Sequence, residues 1–264
     1  MKGILGAICG DIIGSVYERN PIKTKDFNLF SKKSIFTDDT VMTLAVANWL
    51  VEDKSSKKVL IENLKFFGNL YINAGYGGSF YHWLQSDNPK PYGSWANGSA
   101  MRVSPCAWVG NSLDEVQDLA KISAIVTHDH PEGIKGALAT ADAIYLARTG
   151  SNKEEIKNHV ESKYEYDLSR SVDEIRPVYS FDVSCAGSVP ESIICFLEAS
   201  DFEDAIRNAI SLGGDADTQA AIAGSIAGAY YEIPKDISDE SLNTLDECLL
   251  DVYTDFENKF SSSF

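Results

Sequence analysis

The stretch Gly213-Gly214-Asp215-Ala216-Asp217-Thr218-Gln219-Ala220-Ala221-Ile222-Ala223-Gly224-Ser225-Ile226-Ala227-Gly228-Ala229 sets two carboxylates and a hydroxyl at the mouth of a run of small and apolar residues. The run reads as a helix apolar enough to be buried, and the paired glycines let the chain bend just ahead of the acids. A second stretch has the same design: Thr37-Asp38-Asp39-Thr40 opens the apolar segment 41–51. Carboxylates taken out of water in such numbers need a cation or a proton. In a regular helix, neighbours one or two apart diverge, but at a helix start the turning backbone lets them converge. The plain alternative is helix capping, for which Thr and Asp are ordinary residues. A cap needs one acid, whereas each cluster brings two and a threonine. The leading reading is a metal site holding two ions. Oxygen-only ligands select Mg, Mn or Ca over zinc, and no His-x-x-x-His or Cys pair competes.

The remaining helical signals point the same way. Ser-x-x-Glu boxes at Ser112/Glu115, Ser151/Glu154, Ser188/Glu191 and Ser200/Glu203 precede apolar-periodic segments. Phe202, Ala205, Ile206, Ala209 and Ile210 share a helix face that Gly213 ends. Leu242, Leu245, Leu249, Val252 and Phe256 mark one amphipathic helix near the carboxyl end. Pro131 fits a helix start and Gly150 a helix stop. Strand alternation comes closest at Val178–Val183 and is short. The expectation is an all-α fold, a single compact, mostly orthogonal multi-helix bundle over residues 1–264. Residues 75–105, rich in Gly, Pro, Asn and aromatics, read as a long functional loop. Gly3, Gly6, Gly10 and Gly14 recur at three- and four-residue steps, as do Gly224 and Gly228, and this spacing predicts helices whose backbones approach closely.

The chain has 264 residues and a net charge of −16, from 23 Lys+Arg against 39 Asp+Glu. Such a balance repels phosphate backbones and argues against general nucleic-acid binding. Five cysteines at 9, 106, 185, 195 and 248 include no CxxC pair, which fits a reduced, cytoplasmic setting. Cys9, with no base nearby in sequence, reads as a small core residue. The segment Met1–Asp11 lacks the cleavage site of a signal peptide, and no window reaches the ~20 apolar residues of a membrane span.

Four motifs in one order carry a resemblance: Gly10-Asp11-x-x-Gly14-x-x-x-Glu18, Phe36-Thr37-Asp38-Asp39-Thr40-x-Met42-Thr43-Leu44-Ala45, Asn97-Gly98-Ser99-Ala100-Met101-Arg102-Val103-x-Pro105, and Gly213–Thr218. Together they resemble the ADP-ribosylglycohydrolase family over nearly the whole chain. The resemblance implies a cleft with a binuclear Mg or Mn site and substrates that are ADP-ribose conjugates of a protein or a small molecule. Matched by position, it implies Thr37, Asp38, Asp39, Asp215, Asp217 and Thr218 as metal ligands, and Glu18 near the scissile bond. Asn97, Gly98, Ser99, Met101 and Arg102 would border the ADP-ribose pocket, with His128 near the ligand. The family's glycine before Asn97 is Ala96 here, and Glu232 stands where glycine is common.

The expected chemistry is hydrolysis at the anomeric carbon of the distal ribose. Glu18, Asp38 and Asp39 are the unranked candidates for acid–base work. The diphosphate would lie against N–H groups of the 97–102 loop. Tyr76, Phe80 or Trp95 would stack on adenine or simply pack. Arg102 would face the diphosphate or pair with a carboxylate. His130 reads as a hydrogen-bonding residue at a helix start, and His82 and His159 as surface or core positions. The rival readings are a silent, crystallin-like ADP-ribose binder and a dimetal phosphoesterase that cuts the pyrophosphate.

Overall fold

A computed structural model describes residues 3–260, and Met1, Lys2 and 261–264 lie outside the description. The fold is all-α. Helices run in the order α1 (Leu5–Gly14), α2 (Asp38–Asp53), α3 (Lys57–Leu70), α4 (Gly78–Gln85), α5 (Gly98–Met101), α6 (Ser104–Val109), α7 (Leu113–Ile125) and α8 (Pro131–Arg148). They continue with α9 (Lys153–Tyr164), α10 (Val172–Ile175), α11 (Cys185–Glu198), α12 (Phe202–Ser211), α13 (Ala216–Tyr230), α14 (Lys235–Thr244) and α15 (Glu247–Phe260). Among the described residues the β-structure amounts to an isolated antiparallel bridge between Ala96 and Ser184. No helix there is long and apolar enough to cross a membrane.

The two glycine-bearing helices form the centre. Every residue of α1 is buried, as is every residue of α13 except Tyr230, and α13 also packs against α8, α11 and α12. The glycines place one backbone directly on the other. A Cβ on Gly6 would fall 2.2 Å from the Gly224 carbonyl oxygen, and one on Gly10 would fall 2.1 Å from that of Ala220. Neither neighbour is a flexible side-chain end, so the contact has no cheap relief. Gly10→Ala is therefore expected to destabilise the protein by about 3 kcal/mol or more. Gly78→Ala, where an added Cβ meets nothing within 4 Å, is expected to stay within about 1 kcal/mol of wild type. Urea unfolding of the two variants checks both values.

Several boundaries differ from the sequence reading. Of the four expected boxes, only Ser112 caps its helix, accepting from the Glu115 N–H. The caps of α9 and α12 are Asn152 and Asp201, one residue later than read, because Asn and Asp compete well for that position. Ser188 lies inside α11, which starts at the Ser184 cap, and its hydroxyl bonds back to the Ser184 carbonyl. The carboxyl-terminal periodic stretch is two helices, since Asp246 accepts from the Leu249 N–H and starts a new one. Residues 75–105 are not one loop. They hold α4, α5 and the start of α6, with Phe80, Trp83 and Leu84 on the buried face of α4.

Candidate active site

Asp11 assembles the site. It is fully buried in α1 and faces the start of α2. One of its oxygens accepts from the backbone N–H groups of Thr37 (2.9 Å) and Thr40 (3.0 Å), and the other from the Thr37 hydroxyl (2.6 Å). A carboxylate from another helix thus caps α2, where free N–H groups and the helix dipole favour negative charge. One turn further on, at the end of α1, a Cβ on Gly14 would fall 2.5 Å from the Asp217 Cα, so the start of α13 lies against the same stretch of helix. The two acidic clusters meet there. The Thr218 hydroxyl donates to Asp39 Oδ2 at 3.1 Å across 179 positions of sequence. Carboxylate oxygens of Glu18, Asp215 and Asp217 lie within 4.8 Å of one another.

Burial raises every acid of the group, and the charge of a neighbouring acid in the group adds for all but Asp215. Asp38 is pushed up to about 8 by loss of solvent and then by the charge of Asp11. Asp39 is driven well above the carboxylate range by burial and the Asp217 charge, and Asp217 by burial and the Asp215 charge. Burial also raises Asp215, against a 2.8 Å hydrogen bond from Asn97 Nδ2, and raises Glu18, with the Asp215 charge adding. Among the described residues none of the four aspartates has a salt bridge, and Asp39 Oδ1 is buried without a hydrogen-bond partner. Such a set of oxygens, short of positive charge and with an unmatched buried acceptor among them, fits a hard divalent cation. Thr37 Oγ1 donates to Asp11 and accepts from the Asp39 N–H, which leaves it one lone pair.

These acids floor a cavity of about 510 Å³. Asn97, Gly98, Met101, Arg102 and His128 line its wall, so the structure brings these expected residues to one space. Ser99 is turned away, donating from its buried hydroxyl to the Gly133 carbonyl. The N–H groups of Asn97, Ala100 and Met101 are spent on Val183 and Asn97 carbonyls. Backbone contact from this turn to an anion therefore narrows to Gly98 and Ser99. His128 Nδ1 bonds the Thr127 hydroxyl at 2.7 Å, and a Cβ on Gly98 would lie 3.1 Å from its Nε2. Burial, with Arg102 adding, holds its imidazole far below the usual histidine range and thus neutral. Among the described residues Arg102 pairs with no carboxylate: it donates to the Ser123 carbonyl and the Thr127 hydroxyl, and burial pushes it down to about 10. Phe80 is a buried wall residue and Trp95 is half exposed at the rim, whereas Tyr76 packs behind Phe80 at 5.4 Å between ring centres. His130 caps α8, His82 lies on the surface, and His159 bonds the buried Asp142.

Sequence reasoning gave Asp11 only as part of a motif, although a lone carboxylate among ten buried helix positions is a signal of its own. It also passed over Phe181 and Val183, which line the cavity from the segment before α11.

The family model described as ADP-ribosylglycohydrolase matches residues 1–262. The chain belongs to the ADP-ribosylglycohydrolase family. As a member of it, the protein is a hydrolase. It is 30% identical to mouse (Mus musculus) ADP-ribosylhydrolase ARH3 over 308 residues, covering 86% of this chain and 82% of that one. Identity to the human (Homo sapiens) ADP-ribosylhydrolase ARH3 is 29%, covering 86% and 84%. A putative ADP-ribosyl glycohydrolase of Acanthamoeba polyphaga mimivirus is 26% identical over 92% of this chain and 90% of its own. Among solved structures, an ADP-ribosylglycohydrolase-related protein complex superposes with a TM-score of 0.75 over 97% of this chain and 95% of that one, at 22% identity. That likeness supports the all-α fold.

Proposed function

We propose that this protein hydrolyses the α-glycosidic bond between the distal ribose of an ADP-ribose unit and its acceptor, a protein side chain or a small molecule, and works as one domain over residues 1–264. The observation that carries the reading is the meeting of Asp39 and Thr218 beneath a cavity roomy enough for a nucleotide-sized ligand. The names of the relatives support the substrate class. Two divalent cations, Mg or Mn, would be held by Asp38, Asp39, Asp215 and Asp217 with the hydroxyls of Thr37 and Thr218. When bound, such ions polarise a water and the sugar hydroxyls and offset charge as the bond breaks.

The chain's own groups would do the rest. Asn97 fixes Asp215 in one orientation through its amide. Asp11, out of contact with the cavity, fixes the start of α2 and hence the directions of Asp38 and Asp39. Glu18, half-buried at the rim with its affinity for protons raised, is suited to hold or move a proton at the leaving atom. The neutral His128, Phe80 and Trp95 present ring faces and edges to the nucleoside end, and Gly98 permits close approach of the backbone to the diphosphate. Reduced cysteines throughout and a net charge of −16 support a cytoplasmic protein that binds no nucleic acid in general.

The test is incubation with ADP-ribosyl-serine and ADP-ribosyl-arginine peptides in Mg or Mn, with products resolved by mass. Free ADP-ribose supports the proposal. AMP would replace it with pyrophosphate cleavage, and binding without product would replace it with a silent binder. Glu18→Gln is expected to lower turnover about 100-fold or more while ADP-ribose binding, read by calorimetry, stays within about threefold of wild type.

A further inference from the structure

Three segments that face the cavity are joined by a side chain outside it. The loop 15–36 carries Glu18; the strap 176–184, between α10 and α11, carries Phe181 and Val183; and the turn 212–215 leads into Asp215. Lys23, in the first segment, sends its ammonium group to carbonyl oxygens of the other two: Tyr179 at 2.6 Å and Leu212. The fit is close on the turn side as well. Gly213 has a φ of +65°, and a Cβ there would fall 2.8 Å from the Ile22 carbonyl oxygen and 3.0 Å from Lys23 Cε. An ammonium has three donors and suits two converging carbonyls.

The other ties of these segments differ in kind. The strap is also held from the far side, by Asn97 N–H to Val183 at 2.8 Å and Cys185 N–H to Trp95 at 3.0 Å, and at its foot by Arg176 Nε to Ser211 Oγ at 2.9 Å. The later part of the loop is pinned to α12 by Arg207, which donates to the Lys25 and Phe27 carbonyls at 2.8 Å, and by the Lys25–Asp204 pair. Nearer Glu18, the Tyr17 hydroxyl donates to the Asn28 carbonyl at 2.9 Å, the Tyr17 ring lies 4.9 Å from that of Phe27, and Ser15 Oγ accepts from the Ile35 N–H at 3.2 Å, so these contacts tie the loop to itself. Without Lys23 the strap and residues 25–27 keep these ties, but residues 18–24 lose the side-chain tie that joins them to the turn leading to Asp215.

We infer that Lys23 is a positioning residue, which holds Glu18 in register with Asp215 by bracing its loop against the Tyr179 strap and the Gly213 turn. The inference rests on the proposed glycohydrolase reaction and on Glu18 as its proton-handling group.

The experiment compares wild type, Lys23→Met, Lys23→Arg, Glu18→Gln and the Glu18→Gln/Lys23→Met double variant, by steady-state turnover and by hydrogen exchange. Lys23→Met is expected to fold, to lower kcat about five- to tenfold with KM within about twofold, and to speed exchange in residues 15–23 at least about fivefold. Lys23→Arg should recover most of both losses. The double variant should be no slower than Glu18→Gln, because Lys23 acts through that side chain. Unchanged exchange in 15–23, unchanged kcat in Lys23→Met, or a further loss in the double variant overturns the inference. A wild-type protein without turnover would sink the proposed reaction instead, and the exchange result would still decide whether Lys23 braces the loop.

Discussion

Replacement of Asp217 by alanine is expected to lower turnover of an ADP-ribosyl peptide by about a thousandfold and to abolish the response of the protein to Mg or Mn, with helical content unchanged. Asp217 sits at the start of α13 with its carboxylate in the group that includes Glu18 and Asp215. Its loss would remove one of the proposed ligands from a set in which the cation would supply several kcal/mol of charge stabilisation, and about 4 kcal/mol corresponds to a thousandfold in rate. The fold should survive, because removing one of several mutually repelling buried acids relieves the cation-free protein. Asp39→Ala should behave alike, since Asp39 is the partner of Thr218 across the junction. Turnover by mass spectrometry and helicity by circular dichroism are the two readouts. A variant that keeps turnover within tenfold of wild type contradicts the assignment of Asp217.

Without divalent cations, thermal stability should fall as pH rises. Burial raises the folded-state values of Asp11, Asp38, Asp39, Asp215 and Asp217 above that of an exposed aspartate at 3.8, with Asp38 at about 8. The folded chain then binds more protons than the unfolded one between those limits. The sign is therefore opposite to that of a salt-bridged carboxylate: stability is greatest at the acid end and is lost as pH climbs from about 4 to about 8. A bound cation replaces the proton and removes the slope. At about 100 times its Kd, Mg or Mn would add ~2.7 kcal/mol, or about 5–10 °C in Tm for a chain of this size. Melting curves at pH 5, 6.5 and 8, with chelator and with each metal, check this. Equal curves in chelator and metal at pH 8 would contradict it.

The parts of the site readable from sequence share one property: residue type and local pattern carry them. Paired acids beside threonine ahead of apolar helices stand out because such residues are costly to bury. The glycine steps of α1 and α13 stand out because glycine is otherwise a poor helix former. The parts that were not readable depend on where chain segments meet. Nothing local to Asp11 says that it caps α2 some 26 positions away. The orientation of Ser99 follows from its contact with Gly133, and the neutral partners of Arg102 follow from the position of α7 and the residues after it. Helix α4 escaped because Gly77 and Gly78 at its start look like loop, although Phe80, Trp83 and Leu84 hold helical spacing. The capping boxes slipped by one residue because Ser151 and Ser200 are each followed by a residue, Asn152 or Asp201, that caps as well or better. Strap residues Phe181 and Val183 are set at the cavity by contacts distant in sequence, among them the bridge of their segment to residues 95–97.

Acids from the starts of α2 and α13 are proposed to hold divalent ions between them, and the decisive measurement is anomalous diffraction from a crystal grown with Mn. Anomalous peaks are expected, bounded by carboxylate oxygens of Asp38 or Asp39 on one side and of Asp215 or Asp217 on the other. An anomalous map with no peak between the two helix starts, or with manganese only on surface carboxylates, would contradict the proposal.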